Sequence, residues 1–163
     1  MKTLPRKMIS AIATAVALAQ PVSATDIVVG LGTLDFEDDG AVLDLEYHAE
    51  PSTRFRGADV SFTAVVSADT KSDIFIGAGI SAIRQIGDSP WFVEGSFAPG
   101  LFFEGSEETD LGQTLEFRTL IGIGRRFDND YSLSLAASHL SNGGLGDFNP
   151  GVNAITLRLR RSF

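Results

Sequence analysis

The chain has 163 residues, 44% of them apolar, and 13 basic against 21 acidic side chains, for a formal net charge of −8. That acidity argues against nucleic acid as a partner. With no cysteine and two histidines, neither a disulfide framework nor a structural zinc site is available, and no metal or cofactor is expected.

Residues 1–24 read as a secretory signal peptide. Lys2, Arg6 and Lys7 form a basic start, Met8 to Ala19 is apolar, and Val22-Ser23-Ala24 supplies small residues for cleavage. The apolar stretch is well short of the ~20 residues a membrane-spanning helix needs, so export with cleavage near Ala24-Thr25 is expected. Residues 25–163 then form one domain, more acidic than the whole because Lys2, Arg6 and Lys7 leave with the signal. No later run reaches about 18 consecutive apolar residues, which excludes a helical span.

The remainder reads as strand, turn, strand. The candidates are Asp26–Asp35, Ala41–His48, Asp59–Ser67, Asp73–Ile86, Trp91–Phe103, Thr114–Phe127, Tyr131–Ser141 and Asn153–Phe163. Turn-rich pieces such as Glu37-Asp38-Asp39-Gly40, Gly87-Asp88-Ser89-Pro90 and Asp128-Asn129-Asp130 separate them. No comparable stretch has helical periodicity. The predicted class is all-β, with eight antiparallel strands.

Each strand has an apolar and a polar face. Leu43, Leu45 and Tyr47 oppose Asp44, Glu46 and His48, and Leu115, Phe117, Ile121 and Ile123 oppose Glu116, Arg118, Gly122 and Gly124. Near the end, Ile155, Leu157 and Leu159 oppose Thr156, Arg158 and Arg160. A soluble barrel shows the same period with its apolar face turned inward, so period alone does not separate inside from outside.

Two features favour lipid outside. Most candidates reach the about 9–11 residues that a tilted strand needs to cross a bilayer. The alternating last strand stops on Phe163, which resembles the terminal aromatic of bacterial outer-membrane barrels. Trp91, Phe103, Phe127, Tyr131 and Phe163 then suit interfacial girdles. The expectation is an up-and-down transmembrane β-barrel whose lumen is filled by side chains. Glu46, Glu94, Glu116, Arg118, Arg158 and Arg160 are predicted to form a paired network there, with Gly77, Gly79, Gly122 and Gly124 relieving crowding if they also face inward.

His139 and Ser141 continue the odd-numbered apolar face of Tyr131, Leu133 and Leu135, and Asn153 is in phase with Ile155, Leu157 and Leu159. With Phe163 at the periplasmic end, all three project toward lipid at the outer-leaflet level. A serine hydroxyl needs a base within hydrogen-bond reach, and the base needs a third group to orient it. Asn142 and the amides of Gly143 and Gly144 are candidates for stabilising an oxyanion. His-x-Ser alone is a weak motif, and Ser-Asn-Gly-Gly also reads as a turn with a capping histidine. Polar groups on a lipid-side face are costly, which favours function.

At these residues the chain resembles a family. His139-Leu140-Ser141-Asn142-Gly143-Gly144-Leu145-Gly146, followed by Asn149-Pro150-Gly151, is similar to the C-terminal signature of the PagL-type lipid A 3-O-deacylases. Pro99-Gly100-Leu101-Phe102 and Asp110-Leu111-Gly112 through Leu115-Glu116-Phe117-Arg118 are similar too. The resemblance implies an outer-membrane serine esterase that removes the 3-linked acyl chain of lipid A (lipopolysaccharide). Ser141 would be the nucleophile and His139 the general base, with Asn142 and the Gly144 amide forming the oxyanion hole. It leaves the oligomeric state open, a homodimer included.

The family orients its histidine with a glutamate on the last strand, and the matching position here is Asn153. Asparagine can hold an imidazole by a hydrogen bond, but an acid-to-amide change in a serine triad can cost ~10⁴ in turnover. Glu104, Glu107 and Glu108, in or beside another external loop, are alternative acids. Two other readings stay open: a non-catalytic outer-membrane barrel of structural or adhesive type, and a soluble periplasmic barrel with an apolar ligand inside.

Overall fold

Alternation with period two becomes a closed wall. The computed structural model describes residues 24–35, 40–105, 110–127 and 129–163. The strands are β1 (Ala24–Leu34), β2 (Ala41–Ala49), β3 (Thr53–Phe55), β4 (Ala58–Asp69), β5 (Ile74–Gln85), β6 (Trp91–Phe103), β7 (Leu115–Arg126), β8 (Tyr131–Ser141) and β9 (Val152–Ser162). All pairings are antiparallel. The order β2-β1-β9-β8-β7-β6-β5-β4 closes through a β2–β4 pairing, giving an eight-stranded up-and-down barrel without a free edge.

The expected strands agree with the observed ones to within one or two residues at each end, and Trp91–Phe103 and Tyr131–Ser141 agree at both ends. One addition is the short strand β3, which pairs only with the start of β4. Arg56 and Gly57 both have positive φ, 50° and 81°, so a two-residue hairpin of the primed type joins β3 to β4. Arg-Gly is a weaker turn signal than Asn-Gly, and β3 belongs to none of the expected strands. The expected signal peptide lies outside the described residues except for Ala24, which opens β1.

The two ends of the barrel differ. Residues 24 and 162 share one end with the β2–β3–β4 hairpins and the short β5–β6 and β7–β8 turns. At the opposite end, called the loop end below, β1 leads to β2, β4 to β5, β6 to β7 and β8 to β9. Long loops on one side and short turns on the other are the outer-membrane pattern.

Which face is outside is now settled. Leu31, Leu43, Phe62, Ile80, Ile121 and Leu157 all stand on the outer surface, each at least half exposed. On the alternate positions Asp44, Glu46, His48, Glu94, Arg118, Arg158 and Arg160 are buried. A soluble barrel would have the reverse polarity, so the reading with an apolar ligand inside is set aside. At the end holding residues 24 and 162, Trp91, Phe127 and Phe163 are exposed. The Arg161 guanidinium lies 5.7 Å from the Tyr131 ring and 4.8 Å from the Phe163 ring. Such arginine–aromatic belts suit a boundary between apolar and polar surroundings.

Charges buried in so narrow a lumen must pair. Glu46 accepts Nη1 of Arg118 at 2.9 Å, and Nη1 and Nη2 of Arg158 at 2.7 and 2.9 Å. Arg118 also donates to Asp44 at 2.6 Å. Arg160 bridges Asp26 at 2.7 Å and Glu94 at 2.8 Å. The network ties β1, β2, β6, β7 and β9 across the lumen. Glu116 does not join it: the side chain is fully buried, yet neither carboxylate oxygen has a hydrogen-bond partner among the described residues. Its same-face neighbour Arg118 reaches across the lumen to Asp44 and Glu46 instead. Toward the loop end the filling becomes apolar, with Val65, Phe75, Ala98, Phe102 and Leu111 packed together. Glycine makes the larger rings fit: a Cβ at Gly124 would come 2.4 Å from the Phe92 ring, and one at Gly77 would come 2.6 Å from Phe75.

Replacing Arg158 by leucine would strip the buried Glu46 of two hydrogen bonds. Breaking a buried pair from one side costs about 3–5 kcal/mol. The expected outcome for Arg158→Leu is loss of the compact gel band at a clearly lower heating temperature than for the native barrel. A variant as heat-resistant as the native chain would show that the network contributes little.

Candidate active site

Strand period carries the lumen pattern of β8 into the site. Ser132, Ser134 and Ala136 are buried, while Leu133, Leu135, Ala137, His139 and Ser141 alternate with them on the outer face. On β9, Asn153 precedes the outward Ile155, Leu157 and Leu159. The register sets His139 directly opposite Asn153. Directly opposed residues of an antiparallel pair bring their Cβ atoms to about 4.5–5.5 Å, within side-chain reach. His139 Nδ1–H donates to Asn153 Oδ1 at 2.9 Å. That assignment puts the ring proton on Nδ1, because the carboxamide oxygen can only accept. Nε2 is left with its lone pair.

Ser141 lies two residues beyond His139 on the same outer face and opposite Phe117 of β7. Phe117 stacks on Phe97 of β6, with ring centroids 5.9 Å apart and an interplanar angle of 9°. Beside the serine there is therefore a flat aromatic wall. Gly151, with φ of 65°, lets the chain pass against the imidazole: a Cβ there would come 2.7 Å from His139 Cε1 and 3.3 Å from Nε2. Among the described residues no hydrogen bond joins Ser141 Oγ to His139 Nε2. Such bonds are often long in a free enzyme and tighten on the substrate complex.

Asn142 turns the other way. It is fully buried, and its Nδ2 donates to the carbonyls of Leu111 at 2.9 Å and Phe148 at 2.7 Å. Its Oδ1 accepts the Gly144 amide at 2.9 Å. The backbone amide of Asn142 donates to Asn149 Oδ1 at 3.1 Å. Both groups expected to form the oxyanion hole, Asn142 and Gly144, are thus bonded to each other inside the loop and not aimed at the outer face. This explains the motif pieces around them. Leu111 plugs the lumen, and a Cβ on Gly112 would strike the Phe148 carbonyl at 2.2 Å, so the β6–β7 and β8–β9 loops close together over Asn142.

Of the three acidic alternatives, Glu104 is exposed just after β6 and forms no hydrogen bond with His139. Glu107 and Glu108 lie outside the described residues. The carboxylate that does approach is Asp35, at the end of β1. Its Oδ1 accepts the Asn153 backbone amide at 3.0 Å and faces Asn153 Nδ2 at 3.5 Å, while its own amide donates to the Asn153 carbonyl at 2.7 Å. In the sequence Asp35 sits in an acidic turn far from His139, and only the β1–β9 pairing brings it near.

A second serine–histidine–acid contact exists in the lumen. His48 Nδ1 lies 2.8 Å from Ser81 Oγ, and His48 Nε2 lies 2.9 Å from Glu46 Oε2. All three are buried, and Glu46 is already bonded to both arginines. A nucleophile that no substrate can reach is packing, so the outer-face set is the candidate.

Comparison with known proteins agrees with the fold. The solved structure of the outer-membrane enzyme PagL superposes with a TM-score of 0.66 at 21% identity, covering 85% of this chain and 99% of that one. A de novo designed transmembrane β-barrel gives 0.60 at 10% identity, covering 90% and 100%. Neisserial surface protein A gives 0.51 at 14% identity, covering 85% and 94%. At these identities the likeness shows the fold, an outer-membrane barrel. No curated protein matches the chain. Residues 46–162 match the family described as lipid A 3-O-deacylase (PagL), a span that includes His139, Ser141 and Asn153, and the chain belongs to that family.

Proposed function

We propose that the protein is a serine esterase of the bacterial outer membrane that removes the 3-linked acyl chain from lipid A. The observation that carries the reading is the His139–Asn153 hydrogen bond of 2.9 Å on the outer wall, with Ser141 next along the same face. In this reading the loop end faces the outer leaflet, where the substrate ester lies level with Ser141. His139 Nε2 takes the proton from Ser141 Oγ as Oγ bonds to the ester carbonyl carbon. Collapse of the tetrahedral intermediate breaks the carbon–oxygen bond to the sugar, whose 3-oxygen leaves with the proton from Nε2. Water, deprotonated by the same nitrogen, then releases the fatty acid from Ser141.

The acyl chain has a place to lie. A shallow outer groove of about 510 Å³ is lined by Val93, Ile121, Ile123, Leu135, Ala137 and Ile155. It begins at Ala137, the outward residue immediately below His139, about 7 Å along the strand. A chain in this groove would have its ester end beside the catalytic pair.

The runner-up, a non-catalytic barrel of structural or adhesive type, is favoured by the inward-turned Asn142 and by the bond that ties the Gly144 amide to it. Catalysis requires the β8–β9 loop to release these donors when the oxyanion forms.

Expression in an outer membrane containing 3-acylated lipid A should lower the lipid A mass by one acyl chain. Ser141→Ala and His139→Ala should leave it unchanged. An unchanged mass with the native protein overturns the reading. Inactivity of both the native chain and Asn153→Glu favours the structural barrel, whereas activity only in Asn153→Glu marks a degenerate enzyme.

Filling the groove tests the position of the acyl chain. Ala137→Phe should cut the rate of acyl release by about tenfold or more, as steric exclusion from an apolar pocket does. The barrel should keep its heat-modifiable gel migration. An unaltered rate would place the chain elsewhere.

A further inference from the structure

We infer that Asp35 is a positioning residue of the esterase site, orienting the Asn153 carboxamide so that its oxygen faces His139. The inference rests on the proposed catalytic roles of Ser141 and His139. An asparagine at a triad position has an ambiguity that a glutamate lacks. Its carboxamide can present oxygen or NH₂, and the two orientations demand opposite tautomers of the neutral imidazole. With NH₂ toward the ring, Nδ1 must accept, the proton moves to Nε2, and the lone pair that would take the serine proton is lost.

The surroundings of Asn153 remove the ambiguity. An ionised carboxylate only accepts hydrogen bonds, and the Asp35 Oδ1 is held at the Asn153 side chain by the Asn153 backbone amide, 3.0 Å away. Asn153 Nδ2 lies 3.5 Å from that same oxygen, so NH₂ belongs on the Asp35 side and Oδ1 on the His139 side. The chain of consequences runs from the Asp35 carboxylate to Asn153 NH₂, from Asn153 Oδ1 to His139 Nδ1–H, and leaves Nε2 free for the serine proton. The negative charge lies one side chain behind the imidazole and also favours the imidazolium that forms in the transition state.

The backbone holds Asp35 in place. Its φ is 47°, a left-handed conformation uncommon for residues other than glycine, asparagine and aspartate. Its amide is tied to the Asn153 carbonyl at 2.7 Å. Strain of this kind persists where the surroundings over-determine a conformation.

The test uses the full barrel in detergent micelles, with lipopolysaccharide as substrate, and pairs turnover with ¹⁵N NMR of the His139 ring. Asp35→Asn and Asp35→Gly both tolerate the positive φ, and unheated-gel migration checks that they fold. In the native chain the spectrum should show a protonated Nδ1 and a bare Nε2 on the neutral ring. In both variants it should show mixed tautomers, and kcat should fall by about tenfold or more with KM unchanged, since a wrong tautomer removes the base. In an Asn153→Glu background the same Asp35 changes should cost nothing or raise kcat, because a carboxylate needs no orienting and Asp35 is then a like charge. An unchanged His139 tautomer in both Asp35 variants overturns the inference, as does an equal loss of kcat in the two backgrounds. If the native chain has no esterase activity, the proposed function fails, while the NMR arm still decides the role of Asp35.

Discussion

An apolar outer wall leaves a narrow barrel one place for its charges, and that place is the lumen. The pairing of Glu46 with Arg118 and Arg158 follows from this constraint, and so does the bridge from Arg160 to Asp26 and Glu94. Any of these groups alone would be very costly to bury; together they satisfy one another and tie the strands across the lumen. With its charges in the lumen, the barrel carries its candidate site on the wall and not in a cleft.

Wall sites have a particular virtue. His139 and Asn153 sit on paired strands of a closed sheet, so their separation is set by β-register and not by loop packing. Register fixes how far apart the two side chains stand, while their orientation depends on the hydrogen bonds around them. The loops have a different task here. Asn142 fastens the β8–β9 loop to the Leu111 carbonyl and, through Phe148, to itself, and Leu111 packs on Phe75 and Phe102 beneath. The amide of Gly144 is held by Asn142 Oδ1, which makes release of that contact the step on which the proposed chemistry depends.

Much of the fold was legible in the chain. Alternation located all eight wall strands, because a half-buried strand must repeat every two residues. It missed β3, a three-residue strand too short to show a period. The pairing of six lumen charges was legible for five; Glu116 was misassigned because sequence cannot tell across which chord of the lumen Arg118 will reach. The contact of His139 with Asn153, and the place of Ser141 on the same face, were also legible, as short-range features of β8 and of the start of β9. The surroundings of Asn142 were not, since its partners Leu111 and Phe148 come from two different loops.

By itself the sequence determined the number of wall strands, the two faces of each and the identity of the polar residues on the apolar one, all consequences of local periodicity. Only the tertiary structure decided which face is outside, because inward and outward polarity share one period. It alone also brought Asp35 to Asn153. That contact spans 118 residues and exists because the first and last wall strands pair to close the barrel. Closure is a property of the whole sheet, and no segment of the chain carries it.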